Sequence, residues 1–155
     1  MAGFIAAGMI ARKFYVSFHR TVIFIEVKLI MKVFNLLFCL LFVISAGLQY
    51  NDPDPYIWMP IYLYGAVLCW LAFRNKFYPK AYLIGIAVYL VYAIGLFFWK
   101  DGVLDWMTKH NAEDIAATMK AEKPWVEETR EFFGLVILIV VLLVNYFYSK
   151  RKVAR

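Results

Sequence analysis

The chain carries 155 residues, 64% of them hydrophobic and 19% aromatic, with a mean hydropathy of +0.66. Soluble domains lie near roughly 45–50% apolar, so an ordinary water-soluble fold is excluded, and the length allows one domain. The net charge of +6 does not indicate a nucleic-acid partner, because the Lys and Arg residues flank apolar runs and form no patch of their own.

Ten of the eleven acids fall in two segments, 51–55 and 100–131. Most bases fall in three others: the N-terminal region, 74–80 and 150–155. Alternating charge between apolar runs of spanning length predicts a chain threaded four times through a bilayer. The expected fold class is all-α: a polytopic membrane protein with four transmembrane helices in a bundle. The positive-inside rule puts the three basic regions in the cytoplasm, so both termini are expected inside and both acidic segments outside. The lipid bilayer is the expected environment, and the cell membrane the expected location.

Residues 14–30 look apolar but carry Arg20, Glu26 and Lys28. At about +2.5 to +3.5 kcal/mol for each charge near the bilayer centre, the penalty outweighs the aliphatic gain. No fifth span is predicted there, and charges scattered around the helical wheel do not make a clean amphipathic anchor. Met31-Lys32 directly before an apolar run reads as a natural start. Residues 1–30 are therefore expected to be a cytoplasmic extension of a four-helix domain over 31–155.

The spans are expected at about 33–48, 56–73, 81–99 and 132–148, and none contains Asp, Glu, Lys or Arg. Leu135 to Val144 is an unbroken aliphatic run, worth roughly −3 to −6 kcal/mol on insertion scales. Asn35 and Asn145 are the clearest polar residues inside spans, and interhelical hydrogen bonding accounts for them. Pro60 is expected to kink the second span. Cys39 and Cys69 each lie within an apolar run. With no C-x-x-C and no metal spacing, neither a disulfide framework, a zinc module nor a paired-thiol oxidoreductase is indicated. No cofactor is expected.

The first acidic segment is Gln49-Tyr50-Asn51-Asp52-Pro53-Asp54-Pro55. Turn chemistry explains each residue type, with Asp54 as a helix cap and Pro55 at the first helical position. Their density suits a second reading: Gln49, Asn51, Asp52 and Asp54 offer oxygen ligands to a hard cation or a polar headgroup. The glycine and bidentate Glu of an EF-hand loop are missing, so the metal question stays open.

The second acidic segment is long enough to need structure of its own. Asn111 is expected to cap a short helix through Glu113 and Asp114, with Ile115 and Met119 on one face. Trp106 and Trp125 are expected to anchor it at the interface. Pro124 then reads as a helix start, extending the fourth span outward by about two turns. That puts Glu128 and Glu131 on one face and lets Glu127 pair with Arg130. Glu131 abuts the apolar run and should have a partner there, with Arg130, Gln49 and Asn51 the candidates. Neither His19 nor His110 sits in a nucleophile-base pattern, so a hydrolytic triad is not indicated.

Gln49-x-Asn51-Asp52-Pro53-Asp54, followed by Trp58, resembles a signature of the transmembrane protein 220 family. Glu127-Glu128-x-Arg130-Glu131-x-x-Gly134-Leu135 is similar to that family's second signature. The likeness covers about Met31 to Tyr148 and leaves residues 1–30 outside. It implies a small four-helix membrane protein and no established reaction.

Two functions follow as expectations. The first is an accessory component, working through a membrane-protein partner or as a homo-oligomer, with the acidic outer face as docking surface. The second is a binding or enzymatic site at that face for a cation, lipid headgroup or quinone-like ligand. Its candidate residues are Gln49, Asn51, Asp52, Asp54, Trp58, Glu128, Arg130 and Glu131. The two differ on whether the acidic segments meet in space.

Overall fold

The structure is a computed structural model and describes residues 2–52, 54–116 and 123–153. Helix α1 spans Ala2–Leu48, α2 Pro55–Phe73, α3 Pro79–Phe98, α4 Val103–Lys109 and α5 Pro124–Val153. A single 3-10 turn at Gln49–Asn51 joins α1 to α2, and there is no strand among the described residues. The described helices include four that are long and apolar enough to cross a bilayer, as the charge pattern predicts.

The first of these runs Ile25–Leu48, earlier than the expected start at Val33. No Pro or Gly interrupts residues 9–46, so nothing ends the helix at the charged residues. Long Lys side chains can also lay their stems along apolar surface and keep the ammonium outside. α1 is continuous from Ala2 to Leu48.

The helices associate as two pairs, α1 with α2 and α3 with α5, which meet where α2 faces α3 and α5. The inward face of α5 carries Leu135, Leu138, Leu142 and Asn145, all fully buried. They recur at spacings of three and four, the stripe that a packed helix needs. Phe42 of α1, Cys69 of α2, and Tyr82 and Tyr89 of α3 complete the core. Leu40, Ile44, Val91, Ile94 and Ile137 face outward, where a bilayer takes the place of a protein core. The tyrosine hydroxyls fasten α2 to α3: Tyr89 donates to the Ile61 carbonyl at 2.7 Å and Tyr64 to the Ala81 carbonyl at 2.9 Å. Pro60 lies within an unbroken α2.

The α2–α3 turn is a Schellman motif. Asn75 takes a left-handed φ of 58°, its amide donating to the Ala72 carbonyl and that of Lys76 to the Leu71 carbonyl. This satisfies carbonyls that the end of α2 leaves open, and Pro79 then starts α3. Basic side chains gather at this end over aromatic rings. Lys152 sits 4.8 Å from the Phe77 centroid, Lys150 5.0 Å from Tyr146 and Lys32 5.9 Å from Phe73. Lys152 also donates to the Asn75 side chain at 3.3 Å, joining the end of α5 to the turn.

The outer loop departs from expectation. Its helix, α4, precedes Asn111 instead of following it. Asn111 and Ala112 both adopt left-handed φ, 50° and 52°, so Asn111 serves a turn after α4 and caps nothing. Met119 lies outside the described residues. Trp125 is buried, with His110 stacked on it at 4.5 Å and Lys123 over its ring at 5.2 Å. It is therefore a loop anchor rather than an interfacial one. Trp99, 68% exposed, and Tyr56, 75% exposed, are better placed to meet headgroups.

Gly85 lets α3 pass between its neighbours. A Cβ there would lie 2.8 Å from a Tyr64 ring carbon and 2.9 Å from a Leu142 methyl. Gly85→Leu should therefore overpack the bundle, costing about 1–3 kcal/mol, and lower the thermal midpoint in detergent. Gly47→Ala, where nothing lies within 4 Å, should leave that midpoint nearly unchanged.

Candidate functional site

The two acidic segments meet. A cleft of about 460 Å³ opens at the end of the bundle opposite the Lys/Arg cluster. Asp54, at the start of α2, forms one side; Glu127, Glu128 and Glu131 of α5 form another; Tyr92, Gly95 and Leu96 of α3, with Trp99 just past its end, complete it. Local structure explains why each acid faces inward. Asp54 occupies the N-cap position of α2 but makes no side-chain capping bond, contrary to expectation. Its carbonyl accepts from the Ile57 and Trp58 amides, and its side chain borders the cleft. Pro124 starts α5 two turns before the apolar run. Positions 127, 128 and 131 then share one face of the projecting segment.

These carboxylates precede the charge-free stretch 132–148, the part of α5 whose composition suits hydrocarbon. Burial pushes Glu131 up to about 9, and the charges of Asp54, Glu128, Glu127 and Asp52 add to it in that order. Burial likewise raises Glu128, with Glu127, Asp54 and Asp101 contributing, and Glu127, with Asp52 and Asp54 contributing. The physical cause is common: a low-dielectric wall plus like charges disfavours every ionised form. Arg130 turns to the outer loop, where its Nε donates to the Ile115 carbonyl at 2.6 Å.

The other expected residues distribute as follows. Asp52 is half-buried and acts on the cleft through its charge. Trp58 is fully buried beneath it, its ring 5.4 Å from that of Tyr92. Its Nε1 has no partner among the described residues. Gln49 lies in the 3-10 turn, where its carbonyl accepts from the Asp52 amide; it does not line the cleft. The Asn51 side chain lies outside the described residues. Sequence reasoning missed the α3 wall. Tyr92 and Gly95 stand three apart near the end of the third span, but nothing in an apolar run marks a cleft lining.

Among the described residues no three His, Cys, Asp or Glu side chains converge closely enough to hold a metal ion. The cleft sets its carboxyl groups around a space of about 460 Å³. That arrangement suits an organic cation or a hydrogen-bond donor, which carboxylates accept on two oxygens each.

The pH dependence follows with a definite sign. Glu131 keeps its proton in the fold up to about pH 9 but loses it near 4.5 when unfolded. Between those values the folded state holds more protons, so stability falls as pH rises across the window and is complete below it. Thermal melts in detergent should show this decline, and Glu131→Gln should remove most of it.

No curated protein and no solved structure matches the chain. The family model described as transmembrane family 220, helix, matches residues 41–147. That match takes in the last part of α1, all of α2, α3 and α4, and most of α5. It includes every residue of the cleft. This multi-pass, four-span helical membrane protein belongs to transmembrane family 220.

Proposed function

We propose that this protein is a membrane-embedded binding component whose acidic cleft takes up a cationic headgroup. One observation carries this: carboxylates from two distant segments, Asp54 and the Glu127–Glu131 stretch, turn inward around one 460 Å³ space. That volume falls in the range of small-molecule sites, roughly 300–1,000 Å³. A pure docking surface would gain nothing from turning its charges inward, where they repel each other. A bound cation relieves that repulsion and favours ionised Glu131. Asp54, Glu128 and Glu131 accept from the cation, and Tyr92 and Trp99 wall the space.

In this reading the Lys/Arg end faces the cytoplasm by the positive-inside rule. Both termini are then cytoplasmic, and the cleft opens on the far side of the cell membrane. The accessory reading, with a membrane-protein partner or a second copy at the acidic end, predicts a different readout in the same experiment.

Native mass spectrometry of the protein extracted gently from its own membrane tests this, beside Asp54→Asn and Glu131→Gln. A small-molecule adduct on the wild type, reduced about tenfold or more in both variants, supports the site, that ratio corresponding to about 1.4 kcal/mol. A co-purifying protein retained by all three, with no small adduct on any, supports the accessory reading and contradicts this one.

A further inference from the structure

The acidic cleft does not stand alone. A second cavity, of about 570 Å³ and almost wholly apolar, lies between α2 and α3. Ile57 and Ile61 line it from α2, and Ala87, Val88, Val91 and Tyr92 from α3. Tyr92 is common to both cavities. On α2, Asp54 borders the cleft and Ile57, one turn further in, borders the groove. The two spaces are therefore consecutive along the same pair of helices, the acidic one at the helix ends and the apolar one on the lipid-facing side. Val91 is 72% exposed there.

Trp58 is fully buried and lines neither space. It packs against Tyr92, the residue the two spaces share, and so backs the passage between them.

We propose that cleft and groove form one site for a single-chain amphiphile with an ammonium head. The ammonium sits among Asp54, Glu128 and Glu131, and the chain passes Tyr92 into the α2–α3 groove. This rests on the cleft reading and adds the ligand class and the tail path. Charge complementarity selects the occupant: a neutral lipid would leave the acids uncompensated, and a phosphate-bearing head would meet them as a like charge.

The test uses the full chain in nanodiscs and native mass spectrometry with three probes: N-hexadecylethanolamine, N-methylethanolamine and hexadecanol. Wild type should retain the first about tenfold more tightly than either fragment. Two variants separate the parts. At Gly95 an added Cβ meets nothing within 4 Å, so Gly95→Leu narrows the cleft without straining the fold and should abolish retention of both amines. Ala87→Phe fills the groove and should bring the long amine down to the level of the short one; Val91→Phe repeats the test should Ala87→Phe not fold. Equal retention of long and short amines, unchanged by Ala87→Phe and Val91→Phe, overturns the tail path and leaves the cleft reading standing. Retention of hexadecanol equal to that of the long amine and insensitive to Gly95→Leu, or no retention of any probe, overturns both.

Discussion

Like charge, gathered where the dielectric falls, is the constraint on which the acidic end of this protein depends. Asp54, Glu128, Glu127 and Asp52 all act on Glu131 with the same sign of charge. Such a cluster persists only if protons, helix dipoles or a bound cation offset the repulsion. The fold supplies the first two. Glu131 holds its proton near neutrality, and the N-termini of α2 and α5 both point at the cleft because both helices start there at a proline. Each positive helix end is worth about 0.3–1 kcal/mol to a nearby anion. A ligand cation supplies the third.

The opposite end is built on the reverse principle. Lys32, Arg74, Lys150 and Lys152 lie over aromatic faces, and Lys152 also meets a side-chain oxygen of the Schellman turn. The charge there is spread over rings at the periphery, whereas at the acidic end like charges face one another across a cleft. Between the two ends the helices pack as two pairs, with only a light contact between α2 and α3. That looseness is what leaves a groove along the lipid side of Tyr92. The narrow waist at Gly85 and the outer gap are consequences of one packing choice, in which α3 is held to α5 and merely tied to α2 by tyrosine hydroxyls.

Much of this architecture is legible in the residues. Runs without charge fixed four helices, and Pro124 marked the outward projection of α5 two turns before the apolar stretch began. The shared face of Glu128 and Glu131 followed from helical spacing alone. What stayed hidden depends on tertiary geometry. Tyr92, Gly95, Leu96 and Trp99 belong to an apolar pattern that reads the same whether it faces lipid, core or a cleft. Asn111 suits a helix cap and a left-handed turn equally well, and the chain chose the turn. Arg130 stands beside Glu131 in sequence but points to the Ile115 carbonyl, because helical rotation, rather than proximity along the chain, decides which side chains meet. Charge alone does not mark where α1 begins, because no Pro or Gly breaks residues 9–46.

The most direct test of this account asks whether the two acidic segments meet. Asp54→Cys and Glu128→Cys would be placed together in a background with Cys39 and Cys69 replaced by Ala, and treated in native membranes with a short bis-maleimide. The cleft geometry predicts an efficient intramolecular cross-link, absent from either single-cysteine control. The same pair failing to link while Asp54→Cys joins instead to a cysteine at His110 would place the acids apart and contradict the shared cleft.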